Sequence, residues 1–389
     1  MVKRLSILFV CLALTGLLLC GAVGWLFTTA AGARWVLTRL PGWAGIELHI
    51  GQINGTLLGT LQLHEVALQQ RDLAVQLEEL TIDSRLAGIV PLSLEITRLH
   101  LDNLEVRLPA AQPQSTPTGP LWPEPPGILN LVQVAVHDFA LRGAHWQTGS
   151  DDSQDLALLH GSLFWRNGNL QLEQVSFETS ALQGQVTVLA GLTTPRLDLD
   201  IQVEARNPST NWRQVHLQAD LQADGRDQLQ GPFTCTLQST QAGAFLTTGE
   251  LALSQNALLL HQVRLNRENR SGEVLASGRL TWQQEELELV GELQLSQLDL
   301  QGDTGQPLRL SGSLQGRGGP DAYRGQFDLS NAGEGPMRMR LAGTFAGDVQ
   351  QASLDITQGN WLSGQLEGQL KAHWRDGWQL QAEVSGTDI

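Results

Sequence analysis

The chain has 389 residues, 41% hydrophobic and 17% charged, so it is neither disordered nor highly charged. Its 25 basic and 40 acidic residues leave a net charge of -15 with no basic block, which argues against nucleic acid as a partner. Three cysteines, two of them (Cys11 and Cys20) in the N-terminal apolar run, exclude a disulfide framework and a Cys-rich zinc site; 41 glycines favour turns over a helical bundle.

After Lys3 and Arg4, the run Leu5 to Phe27 carries no charge. As a helix it would span roughly 34 Å, enough for a bilayer core of about 30 Å. Residues 1–28 therefore read as a cytoplasmic tip and single-pass anchor, with Leu5, Phe9, Leu14, Leu18, Val23 and Phe27 facing lipid. The basic flank places the N-terminus in the cytoplasm and exports the rest. The rival is a cleaved signal peptide with a small-x-small site at Ala31-Gly32-Ala33, against which the apolar run is long. A lipoprotein site at Cys20 is disfavoured by the preceding Leu19. Residues 29–45 follow as an interfacial helix or an extension of the anchor. Trp35, Val36, Leu37 and Leu40 share a face, and Pro41-Gly42 ends it.

From residue 46 the pattern is β. Ile46 to Ile53, Leu61 to Leu68 and Leu73 to Ile82 are the first strands. In Leu94 to Leu108 the apolar residues Leu94, Ile96, Leu99, Leu101, Leu104, Val106 and Leu108 are spaced 2, 3, 2, 3, 2, 2. That is alternation with single insertions, which predicts bulged strands; a short β-helix is the competing reading. Region 46–108 is one β region, and 109–127, holding seven of the 15 prolines, is an exposed loop. Region 128–389 is a repetitive β region. In it HGSLFWRNGNLQL (160–172), SGRLTWQQEELEL (277–289) and EGQLKAHWRDGWQL (367–380) repeat a hairpin around Trp165, Trp282 and Trp374. No helix is predicted after residue 45.

The whole is mainly β: a transmembrane helix followed by a long, twisted, curled sheet of roughly 22 to 26 strands with an apolar concave face. With no helices to cover it, that face must close into barrels, fold as a sandwich, or line a gutter. A gutter could hold acyl chains; the commoner use of such leucines is the core of a β-sandwich. Leu94, Ile96, Leu99, Leu101, Leu104 and Val106 are the candidate lining, although one bulge would swap faces.

Catalytic chemistry has no carrier. Nine histidines are scattered without HExxH, and GxSxG is absent. Gly316-Arg317-Gly318-Gly319 begins like a dinucleotide loop but continues into Pro320-Asp321, so it reads as a turn. Asp198 with Asp200, and Asp151, Asp152 and Asp155, read as solvated charges rather than calcium ligands. No catalytic residue, metal or cofactor is expected, and the chain reads as a non-enzyme.

The anchor followed by IGQINGTLLGTLQLHEVAL (50–68), LAVQLEELTID (73–83) and PLSLEITRLHLDNLEVRLP (91–109) resembles the N-terminal region of the TamB family. More broadly it is similar to the AsmA-like, repeating β-groove bridge proteins. The ordered set covers Leu5 to about Pro109. TamB-like proteins are usually far longer, and no closing C-terminal domain is visible, which suggests a fragment. The resemblance implies a periplasmic β-groove held by the inner membrane and a TamA-like outer-membrane partner. It also implies a role in outer-membrane protein assembly or autotransporter secretion, and phospholipid carriage along the groove. The alternative is a closed β-repeat structural or adhesive envelope protein with no lipid conduit.

Overall fold

The structure is a computed structural model describing residues 25–43, 47–70, 73–89, 91–108, 132–148, 152–208, 210–225, 227–240, 243–268, 270–283, 286–299, 308–331, 338–361, 364–374 and 379–387. A helical turn at 25–28 precedes helix α1 (Ala30–Trp43). All regular structure described after α1 is β. The described residues divide into two units, one ending at Thr193 and the other starting at Thr194.

Unit 1 holds β1 (Glu47–Gly55), β2 (Gly59–Gln70), β3 (Leu73–Ile89), β4 (Leu92–Leu108), β5 (Val132–Thr148), β6 (Asp152–Arg166), β7 (Asn169–Glu178) and β8 (Leu182–Gly191). Each pairs with the next. All of these pairings are antiparallel except β4–β5, which is parallel. A tight turn cannot join parallel neighbours, which need a connection of about a dozen residues or more. The proline-rich stretch between β4 and β5 supplies that length; the expected loop 109–127 itself lies outside the described residues.

Unit 2 is a thirteen-strand antiparallel meander. It comprises β9 (Arg196–Ala205), β10 (Trp212–Ala223), β11 (Gln228–Ser239), β12 (Gly243–Ser254), β13 (Ala257–Arg267), β14 (Glu273–Gln283) and β15 (Glu286–Asp299). It continues with β16 (Arg309–Gly318), β17 (Tyr323–Asn331), β18 (Met339–Gly347), β19 (Gln351–Trp361), β20 (Gly364–His373) and β21 (Gln379–Thr387). Sequential antiparallel pairing rules out the β-helix, whose neighbouring strands would run parallel. Among the described residues no pairing joins β1 to β8 or β9 to β21, so each unit is an open, curled sheet rather than a barrel.

The expected membrane-spanning helix is not found among the described residues, where no helix is long and apolar enough to cross a bilayer. Leu5, Phe9, Leu14, Leu18 and Val23 lie outside them, and Phe27 sits exposed in the 25–28 turn. The expected turn at Gly316 to Gly319 is also corrected. Gly316, Arg317 and Gly318 complete β16, and the chain reverses at 319–322.

The tryptophan repeat has a structural origin. Asn167 and Gly168, both at positive φ, form the two-residue turn between β6 and β7 just after Trp165. Trp282 Nε1 donates to Gln255 O at 2.9 Å, and its backbone N donates to Asn256 O at 3.0 Å. Trp374 repeats this on the next such turn, with Nε1 on Val349 O at 2.7 Å and N on Gln350 O at 3.0 Å. Each ring thus clips the turn of a preceding hairpin. Trp282→Phe should cost about 1 kcal/mol of local stability, read as faster amide exchange in the 255–256 turn.

Candidate functional site

In a sheet, directly paired residues share a face, so register assigns every side chain. In unit 1, Leu101 lies between Leu80 and Leu141, Leu99 between Ile82 and Phe139, and Leu104 between Leu77 and Ala144. Leu94 lies between Leu86 and Val134, Ile96 between Ser84 and Val136, and Val106 between Val75 and Trp146. The six residues of β4 therefore share one apolar face with their neighbours.

The three-residue step from Leu101 to Leu104 does not swap that face, because it recurs in register. Ile50 and Ile53 pair with Val66 and Leu63, these with Leu77 and Leu80, then Leu104 and Leu101, then Ala144 and Leu141. At this level Glu65, Asn103 and Gly143 take positive φ (55, 56 and 65°). Asn103 Nδ2 also bonds Glu78 across the strand pair. One extra residue in every strand at one level keeps lateral pairing, adds twist, and returns each chain to the same side.

Unit 2 carries the same design. One lateral row reads Ala276, Leu293, Leu314, Phe327, Gly343, Ile356, Gly368 and Val384 from β14 to β21. A second reads Leu229, Leu253, Leu258, Leu280 and Leu289 from β11 to β15. Between them run Leu260, Gly278, Gly291, Gly316, Gly325 and Phe345. A Cβ on Gly325 would sit 2.3 Å from Phe345 Cζ, so the ring lies where only glycine leaves room.

Among the described residues the principal contacts between elements are lateral strand pairs and α1 on β1; beyond α1 at one end of unit 1, no second layer covers the apolar face within either unit. Curl alone buries part of it. Leu229 is 1% exposed and Phe327 4%, and Ala219, Leu221, Leu229, Phe233 and Val263 form a cluster. Elsewhere on the same face Leu289 is 50% and Leu380 77% exposed. Exposed apolar surface of this extent marks an interaction site.

Helix α1 covers one end of the unit 1 face. Ala33, fully buried, packs on Leu61 and Leu63, with Leu37, Ile50, Ile53, Val66, Leu80 and Ile82 around it. The side of α1 that meets the sheet is thus set by Ala33 and Leu37, and Trp35 stands exposed.

The opposite face is polar and largely charge-paired. Asp138 lies between His100 (3.1 Å) and His160 (3.2 Å), and His145 pairs with Asp155 at 2.5 Å. Asp198 meets Arg196 at 2.8 Å. Gln218 donates to Asp200 at 2.9 Å, and with His216 at 2.8 Å it holds that carboxyl below its ordinary range despite desolvation. These aspartates are engaged by neighbours, and no group of three or more His, Cys, Asp or Glu among the described residues could hold a metal. Asp151 lies outside those residues.

Cys235 pairs with Leu217 and Thr247 on the apolar face, and burial raises its thiol pKa. A raised pKa leaves less thiolate at a given pH. Alkylation of Cys235, followed by peptide mass mapping, should therefore show its rate midpoint above that of a free cysteine.

Residues 19–190 match the family described as TamB, N-terminal domain. That segment, a little under half of the chain, is similar to the TamB N-terminal domain. The match takes in α1 and ends within β8, the last strand of unit 1. A comparison with curated proteins finds no match. The six β4 residues lie inside the matched region, and the apolar rows of unit 2 lie beyond it.

Proposed function

We propose that this TamB-like chain is held in the inner membrane by Leu5 to Phe27, with its N-terminus cytoplasmic and its β units periplasmic. The uncovered apolar faces take up phospholipid acyl chains and pass them towards the outer membrane. A TamA-like outer-membrane partner links this carriage to outer-membrane protein assembly and autotransporter secretion. The observation that carries the reading is the set of apolar rows running strand to strand with, among the described residues, no protein layer over them beyond α1 at one end of unit 1. Each methylene removed from water there contributes about 0.8 kcal/mol, so one ordinary acyl chain gains on the order of 10 kcal/mol.

Purification of the full chain in mild detergent, followed by mass spectrometry of bound lipid, tests this. Phospholipid should co-purify, and Leu101→Asp should reduce it severalfold. A folded chain free of lipid supports the closed structural or adhesive reading instead.

A further inference from the structure

On the polar face of unit 2, the residues immediately flanking the glycine row form the banks of an open groove of about 990 Å³ crossing β13 to β18. Its floor is the main chain at Gly278, Gly291, Gly316 and Gly325. One bank is cationic. Arg279 pairs with Val290, Val290 with Arg317, and Arg317 with Arg324, so three guanidinium groups occupy one lateral row. Ala346, Ser353 and Lys371 extend the row without an acid. Within the groove the facing bank carries one carboxylate, Glu292, which accepts from Gln294 at 3.2 Å, and the same row reaches Asp355 on β19, which accepts from Gln369 at 2.6 Å.

Several other arginines of this face have acidic partners: Arg196, Arg264 and Arg340 each meet a carboxylate, at Asp198, Glu273 and Asp328. Arg279, Arg317 and Arg324 make no ion pair with any described residue. Like charges placed directly opposite in a sheet are destabilising, as Arg317 and Arg324 are here. In a chain of net charge -15, with 40 acidic side chains, no ion pair among the described residues relieves that repulsion.

We propose that this groove binds a phosphate-bearing ligand, held by Arg279, Arg317 and Arg324 on its cationic bank. Guanidinium forks match phosphate oxygens in bidentate geometry, and a lateral strand spacing of about 4.8 Å lets adjacent arginines share one phosphate. Lipid headgroup and free phosphate ester present the same chemistry. The site is independent of acyl-chain carriage, because its side chains stand on the opposite face from the apolar rows.

The test is calorimetric titration of the full chain in non-ionic detergent with inorganic pyrophosphate, dihexanoyl phosphatidic acid and, as the uncharged control, dihexanoylglycerol. Phosphatidic acid should bind with affinity falling as salt rises, and dihexanoylglycerol should show no such salt-dependent binding. Binding of pyrophosphate as well identifies phosphate itself as the recognised group; its failure identifies the lipid headgroup. Arg324→Gln should weaken binding about tenfold, and Arg279→Gln/Arg317→Gln/Arg324→Gln should abolish it. Arg340→Gln, which lies outside the groove, should leave it unchanged. These side chains are exposed, so the variants should fold, as circular dichroism would verify. Failure of both phosphate probes to bind, or unaltered affinity in the triple variant, overturns the proposal.

Discussion

Leu229→Asp should destabilise unit 2 by about 5 kcal/mol or more, enough to consume much of a domain's usual stability. Leu229 is 1% exposed and packs with Leu221 and Phe233 on the curled side of β9 to β13. A carboxylate there meets no partner, because the row at that level is Leu253 and Leu258. The next residue, Gln230, pairs with Gln222 and Ala252 on the polar face. Gln230→Asp should therefore change stability by no more than about 0.5 kcal/mol. Denaturant midpoints of the two variants compare adjacent positions that differ in the face they serve.

Gly312→Ala should cost about 3 kcal/mol. Gly312 holds φ at +146°, a conformation L side chains rarely adopt, and a Cβ would sit 2.0 Å from Asp328 O in the paired strand. Strain of about 1 to 3 kcal/mol combines here with a clash against main chain, which has no rotamer to change. The loss should appear as increased amide exchange along β16 and β17, with β9 to β11 unaffected. Uniform destabilisation of all thirteen strands would contradict the assignment of this clash to one strand pair.

How much was legible in the sequence depended on whether the signal lay within a strand or between strands. The six apolar residues of β4 followed from alternation, since period 2 sorts side chains directly. That the step from Leu101 to Leu104 preserves one face did not follow. It requires Glu65, Asn103 and Gly143 to line up across β2, β4 and β5, and such register is not written in any one segment. The parallel β4–β5 pair was hidden for the same reason, although the long proline-rich connection was its one cue. The face of α1 was read towards Trp35, because large apolar residues dominate a helical pattern. The sheet instead selects Ala33, whose small side chain allows close approach. The arginine row was invisible, because Arg279, Arg317 and Arg324 are scattered along the chain and meet only through lateral pairing.

The central claim is that the apolar rows remain open to acyl chains, and photo-crosslinking at adjacent positions tests it most directly. A benzophenone side chain replaces Leu314 in one variant and Gln315 in another, each in the full chain within living cells. Leu314 stands with Leu293 and Phe327 on the apolar face, and Gln315 with Glu292 and Gln326 on the polar one. Light should join phospholipid to the Leu314 position and leave the Gln315 position lipid-free. Equal labelling at both, or crosslinks from Leu314 only to other segments of this chain, would contradict an open lipid-bearing face.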